Sequence, residues 1–157
     1  MDFTIEGKLY HNGTFEQGCL AIEQGKIVAV KKILKADTHL NMNNQLILHA
    51  GIDLHVHFRD PGLTHKEDFS SGSLSAAYGG ISCVFDMPNT IPQTTTIKEL
   101  IDKINLASKK SFVDFGVYSG VTNNNIKDIE TLATKCSGFK IYLGGSTNTL
   151  LFDKRNL

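Results

Sequence analysis

From about residue 46 the chain alternates strand-like and helix-like segments with a repeat of roughly 30 residues, the length of a βαβ unit. Strands are expected at Leu46 to His57, Ile81 to Met87, Phe112 to Val121 and Gly138 to Leu143. Thr64-His65-Lys66-Glu67 reads as a capping box opening a helix toward Tyr78, which stops at Gly79-Gly80. Thr96-Ile97-Lys98-Glu99 is a second box, leading Leu100, Ile101, Ile104 and Leu106 in helical spacing to Lys109-Lys110. Asn125-Ile126-Lys127-Asp128 is read as capping a third helix carrying Ile129, Leu132 and Ala133. Strands and helices in strict alternation imply an α/β fold with a parallel sheet and helices outside it.

Length sets the scale of that sheet. A closed (β/α)8 barrel takes about 250 residues, and four strands here occupy 46 to 143 of 157 residues. The expected architecture is the first half of a (β/α)8 TIM-type barrel. An open half-barrel leaves two unpaired strand edges, so the chain is expected to be part of a longer protein. Residues 1–48 have a different texture, with short strands and tight turns. Asn12-Gly13 and Gln24-Gly25 mark hairpins between apolar runs. The expected organisation is therefore a β-rich module at 1–48 and the first four barrel strands at 49–157.

Composition excludes several classes. Sixteen basic residues balance sixteen acidic ones, and 41% of residues are hydrophobic, so no excess charge recruits nucleic acid or a membrane surface. No apolar run approaches the roughly 20 residues of a membrane helix, and the first residues lack the pattern of a signal peptide. Cys19, Cys83 and Cys136 are odd in number and widely spaced, which suits reduced, structural thiols in a cytoplasm.

A barrel of this kind carries its site at the C-terminal ends of the strands, and each strand delivers polar groups there. Side chains alternate along a strand, so His55 and His57 project from one face, where both can grip a metal ion. Arg59 follows, then the turn Asp60-Pro61-Gly62. Asp53 shares the histidine face, either orienting an imidazole or closing the strand start by hydrogen bonding. The second strand offers Asp86 and Asn89. The fourth offers Lys140, a charge inside an apolar run. Burial would lower its pKa and allow the neutral amine to add carbon dioxide, giving an anionic carbamate that bridges two metals. The other reading, favoured by the strand alone, is a lysine that snorkels to solvent. His11 is read as a turn residue, His39 as part of a polar linker, His49 as core and His65 as a first-turn helix residue.

Four segments in order resemble the dihydroorotase family of metal-dependent amidohydrolases. They are Gly51-Ile52-Asp53-Leu54-His55-Val56-His57-Phe58-Arg59-Asp60-Pro61-Gly62, Ala76-Ala77-Tyr78-Gly79-Gly80-Ile81, Met87-Pro88-Asn89-Thr90 and Gly138-Phe139-Lys140-Ile141-Tyr142. The resemblance implies that His55 and His57 bind one zinc ion and that Lys140, carbamylated, bridges it to a second. His57, Arg59 and Asn89 would form the substrate-binding set, with Arg59 and Asn89 holding a carboxylate. The implied reaction is the reversible hydrolysis of dihydroorotate to carbamoyl-aspartate in pyrimidine synthesis. The resemblance also allows a homodimer or a complex with aspartate transcarbamoylase.

The family's remaining metal histidines and its proton-shuttling aspartate come from later strands, so residues 1–157 alone are expected to be inactive. Two rivals stand beside this reading. Hydantoinase and allantoinase would share the histidines and lysine, but their substrates present no carboxylate to Arg59. A non-catalytic dihydroorotase-like scaffold subunit would be expected to have lost ligands that are present here.

Overall fold

The computed structural model describes residues 1–144 and 150–152, which fall into two compact units, Met1–His49 and Ala50–Leu157. The first unit is one sheet of β1 (Phe3–His11), β2 (Thr14–Glu23), β3 (Lys26–Lys31) and β4 (His39–Ile47), in the order β3-β2-β1-β4. Both hairpins form at the expected turns. Asn12 and Gly13 have φ of 48° and 85°, and Gln24 and Gly25 have 50° and 71°. Two consecutive positive φ values match the right-handed twist of the flanking strands. The unit encloses a small core of Leu9, Cys19, Ala21 and Thr4.

Here the structure corrects two expectations. His39 is not in a linker. It opens β4, where its Nδ1 lies 2.8 Å from Thr4 Oγ1 and its Nε2 lies 3.3 Å from Glu6. The apolar stretch from Leu46 is also not one strand. Ile47 ends β4, paired in parallel with β1, and a separate strand begins at Gly51 in the other sheet.

The second unit holds β5 (Gly51–Val56), β6 (Ile81–Asp86), β7 (Asp114–Val121) and β8 (Gly138–Ile141), parallel and in sequence order. α1 (Phe69–Tyr78) connects β5 to β6, and α2 (Ile97–Lys110) connects β6 to β7. A short 3-10 turn (Ile126–Asp128) and α3 (Ile129–Ala133) lead into β8. This is the strand order and connectivity of the opening part of a (β/α)8 barrel, as the repeat predicted.

α2 begins where expected, with Thr96 Oγ1 accepting from the Glu99 amide at 3.4 Å. α1 does not. Residues 63–66 are held in turns by Leu63 N–Arg59 O and Lys66 N–Leu63 O bonds, both 2.9 Å, and Asp68 caps the helix instead. Asp68 Oδ1 accepts from the Ser71 amide at 2.8 Å. Asn125 likewise does not cap a helix. Its amide donates to the Thr95 and Gly120 carbonyls at 2.7 and 2.8 Å, tying two loops together.

Helices and sheet share two apolar clusters. One joins Phe58, Phe69, Val84 and Ala107, with Val56 and Phe115 against it. The other joins Leu100, Val117 and Leu132, with Phe139 against it. Phe58 and Phe69 meet edge to face with centroids 5.4 Å apart. Burying each such ring contributes about 1.5–3 kcal/mol, and the edge-to-face pair about 0.5–1.5 kcal/mol more. A Cβ on Gly72 would sit 2.5 Å from the Phe58 ring, so this packing needs glycine on α1. These contacts anchor the segment that follows β5.

Candidate active site

Alternation along the strands determines which residues can meet. Val56 and Phe139 face the helices, so their neighbours His55, His57 and Lys140 project from the opposite face of the sheet. His55 and His57 lie with ring centroids 5.2 Å apart and planes tilted by 48°. His55 is exposed and His57 half-buried. Asp53 uses its carboxylate on the backbone, accepting from the His55 amide at 3.0 Å, rather than on an imidazole.

His57 Nδ1 lies 2.8 Å from Asn89 Oδ1. An amide oxygen only accepts, so Nδ1 carries the proton and Nε2 keeps its lone pair. Burial draws the His57 pKa below the ordinary histidine value; the Asn89 bond opposes this, and the Arg59 and His55 charges add to it. A neutral imidazole with a free Nε2 is what a metal ion requires.

Asn89 is itself buried, in a loop held by several hydrogen bonds. Thr90 N and Thr94 N both donate to Pro88 O, at 2.9 and 3.0 Å, and Thr90 Oγ1 donates to Pro92 O at 2.8 Å. The Gly120 amide and Ser119 hydroxyl of β7 hold Thr94 O at 2.8 and 3.2 Å. The loop after β5 lies against this one, with Ile91 N donating to Pro61 O at 3.1 Å. Gly62, at φ +89°, has no room for a side chain there, since a Cβ would overlap the Ile91 carbonyl.

Arg59 adopts φ +63°, unusual for a side chain of its size. Its Nη1 is buried and has no hydrogen-bond partner among the described residues. An unpaired guanidinium nitrogen out of water is costly, and a planar anion would satisfy it.

Sequence reading missed the lysines behind these loops. Lys103 of α2 is 1% exposed and pairs with Asp86, 0% exposed, at 2.5 Å. Its Nζ also donates to Met87 O at 2.8 Å, and Asp86 Oδ1 accepts the Phe58 amide at 2.7 Å. Burial draws Lys103 below the ordinary lysine range, and Asp86 opposes it. Two turns along, Lys110 pairs with buried Asp60 at 2.8 Å, which raises the lysine pKa. A signal existed: Lys103 falls at core spacing between Leu100 and Ala107.

Lys140 stands opposite Gly120 on β8, with β6 and β7 between its strand and the histidines. It is half-buried rather than enclosed, and its Nζ lies 5.3 Å from the centre of the Tyr142 ring, a cation–π contact. The described residues bring together His55, His57, Asn89 and Arg59. They gather no cluster of three or more His, Cys, Asp or Glu side chains able to hold a metal. The two imidazoles therefore fit part of a metal site, and Lys140 would join them only as a carbamate. The cysteines are free, with Cys19 buried. No helix among the described residues is long and apolar enough to cross a membrane.

The chain is similar to known proteins in both sequence and fold. The model of the family described as dihydro-orotase-like matches residues 44–142. A dihydroorotase of Methanosarcina mazei is 42% identical over 148 residues, covering 91% of this chain and 32% of the relative. One of Thermoplasma acidophilum is 43% identical over 149 residues, covering 95% and 35%. The chain thus spans about a third of the length of these curated relatives. Among solved structures, an L-hydantoinase (dihydropyrimidinase) from Arthrobacter aurescens superposes with TM-score 0.88 at 26% identity, over 97% of this chain and 35% of that one. A D-hydantoinase superposes with TM-score 0.82 at 22% identity, over 99% and 36%, a likeness of fold.

Proposed function

Since the chain belongs to the dihydro-orotase-like family, we propose that its protein is a dihydroorotase, a metal-dependent cyclic amidohydrolase that interconverts dihydroorotate and carbamoyl-aspartate. The observation that carries the reading is the buried Nη1 of Arg59, without a partner among the described residues, beside the bonded pair of His57 and Asn89. Dihydroorotate presents a carboxylate next to a ring amide. The site offers an anion clamp next to two metal-competent imidazoles.

In this reading His55, His57 and a carbamylated Lys140 hold the metals, and zinc suits imidazole and oxygen donors. Bound there, the metals supply an activated water and a polarised amide carbonyl. The chain's own residues do the rest. Arg59 takes the substrate carboxylate in its planar fork, an arrangement that fixes orientation as well as affinity. Asn89 has committed Oδ1 to His57 and can give its amide hydrogens to the same carboxylate, so one side chain sets both the ligand's tautomer and the substrate's register. Asp86 and Asp60 act from behind, holding the Phe58 and Phe69 amides and with them the loop that carries Arg59. The free thiols fit a reducing compartment, so the reading places the protein in the cytoplasm, in pyrimidine synthesis.

The solved neighbours favour a second reading, a hydantoinase-type enzyme. It leaves Arg59 without a task. The test is turnover by the metal-loaded native protein of dihydroorotate, hydantoin and allantoin in parallel. Consumption of dihydroorotate supports the proposal, and activity on the other two without it overturns it.

A further inference from the structure

Charged side chains gather around the loop after β5, among them Arg59, Asp60, Asp68, Asp86, Lys103 and Lys110. Asp60 is the next residue after Arg59, and Asp86 holds the amide of Phe58, the residue before it, at 2.7 Å. A guanidinium so placed beside two carboxylates that are 3% and 0% exposed would ordinarily pair with one of them, in bidentate fashion. Arg59 forms no ion pair with either among the described residues, and its Nη1 stays buried and unbonded.

The reason lies on α2. Lys103 and Lys110 are seven residues apart, two turns on one face of the helix. Lys103 reaches Asp86 at 2.5 Å, and Lys110 reaches Asp60 at 2.8 Å. Each carboxylate also accepts a backbone amide, Phe58 N at 2.7 Å for Asp86 and Phe69 N at 3.5 Å for Asp60. Lys110 also lies 3.7 Å from Asp68, but its shortest bond is to Asp60, so Asp86 and Asp60 are both occupied by lysines and the Arg59 guanidinium is left without an internal partner among the described residues. Buried ion pairs are weak evidence for stability, because desolvation offsets most of their attraction. One buried pair and one part-buried pair on the same helix face, each taking a carboxylate of the segments that flank Arg59, have a clearer role in electrostatics.

We propose that Lys103 and Lys110 are positioning residues for the anion site: by neutralising Asp86 and Asp60 they keep the Arg59 guanidinium free for the carboxylate of the substrate. The inference rests on the dihydroorotase reading for the identity of that carboxylate, and on the ion pairs alone for the rest. Without its lysine, the neighbouring aspartate becomes the competing anion. Arg59 then turns inward, and the incoming carboxylate must displace an internal one.

The test uses Lys110→Met, since Lys110 is 33% exposed and its loss spares the core, whereas Lys103→Met strips the counter-charge from a fully buried aspartate. In the metal-loaded native protein this variant should raise KM for dihydroorotate about tenfold, the worth of one charge-assisted hydrogen bond, with kcat within about twofold. Adding Asp60→Asn, which removes the competing charge and keeps an acceptor for Phe69 N, should bring KM back to within about twofold of wild type. A structural defect is told apart by its readout: it lowers kcat and the melting temperature together, whereas a blocked anion site raises KM alone. An unchanged KM in the single variant, or a double variant as impaired as the single, overturns the proposal. If the unmutated protein acts on another cyclic amide and not on dihydroorotate, the functional reading falls by itself. The crystal structure of Lys110→Met then decides the inference: Arg59 paired with Asp60 supports it, and Arg59 unmoved overturns it.

Discussion

His57 Nδ1 lies 2.8 Å from Asn89 Oδ1, a bond that ties the loop after β5 to the loop after β6 and settles which imidazole nitrogen is free. Two substitutions separate the two tasks proposed for Asn89. Asn89→Ala removes both the His57 partner and the amide donor, so metal affinity should fall about 10–100-fold, as when a partner of a metal-bound histidine is lost, and KM for dihydroorotate should rise with it. Asn89→Asp keeps an acceptor for Nδ1 while setting a negative charge against the substrate carboxylate. Metal affinity should be retained and KM alone should rise. Chelator competition and steady-state kinetics on the same preparations read both quantities.

Lys103 makes a distinct prediction about stability. Replacing it by methionine leaves Asp86 buried without its counter-charge, a loss of about 3–5 kcal/mol in comparable buried pairs. Lys103→Met with Asp86→Asn removes both charges and keeps the acceptor for Phe58 N, so the double variant should be more stable than the single one. Urea denaturation of the three proteins gives the ordering. A double variant no more stable than the single would mean that the lysine acts through packing alone.

How much of this was legible beforehand differs by feature. The repeat of strands, the two hairpins and the start of α2 follow from local signals, namely apolar periodicity, paired left-handed turn residues and a threonine cap. Those signals misplaced the start of α1, because Thr64 offers as good a cap as Asp68. What decides is tertiary: the turn bonds of Leu63 and Lys66 hold the chain back until Phe69 can enter the core. The stretch after Leu46 was read as one strand for a similar reason. The change of texture put the module boundary at 48–49, but nothing local shows that Leu46 and Ile47 belong to β4, which is defined by its distant partner β1. His55, His57, Arg59 and Asn89 were visible because their chemistry is rare in an apolar context. Lys103 was hidden because a helix lysine usually faces water, and only its spacing from Leu100 and Ala107 hints otherwise. The bond from His57 to Asn89 spans 32 residues of sequence, and no local pattern contains it.

Asp68 links helix α1 to acid stability. Its carboxylate accepts from both the amide and the hydroxyl of Ser71, at 2.8 Å each, and these bonds, aided by Lys110, hold its pKa below the ordinary value of 3.8. A depressed carboxylate pKa stabilises the fold above the unfolded-state value, and that contribution is lost as pH falls through the folded one. Asp68→Ala should therefore lower stability by about 0.5–2 kcal/mol at neutral pH, the usual range for a lost helix cap. The gap to wild type should close as pH falls below 3.8. Asp68→Asn keeps a capping oxygen without the charge, so it should stay near wild type at neutral pH. Thermal melts across pH 2.5–7 are the measurement, and a gap that does not narrow in acid would show that the Asp68 charge contributes nothing.

Lys140 carries the remaining prediction. Its Nζ now rests 5.3 Å from the centre of the Tyr142 ring, on the sheet face shared with His55 and His57. Carbamylation would turn this cation into an anion. The face of an aromatic ring attracts the first and repels the second, so the modified side chain should leave Tyr142 and extend toward the histidines. Forming the carbamate consumes carbon dioxide, and the bound metals hold the product in place. Metal content should therefore rise with added bicarbonate in the native protein and should not in Lys140→Met. Crystals grown with metal and bicarbonate should show density beyond Nζ and an altered contact with Tyr142. A bare amine still seated on the ring, in protein with its full complement of metal, would remove Lys140 from the ligand set and leave the histidines as this chain's contribution to the site.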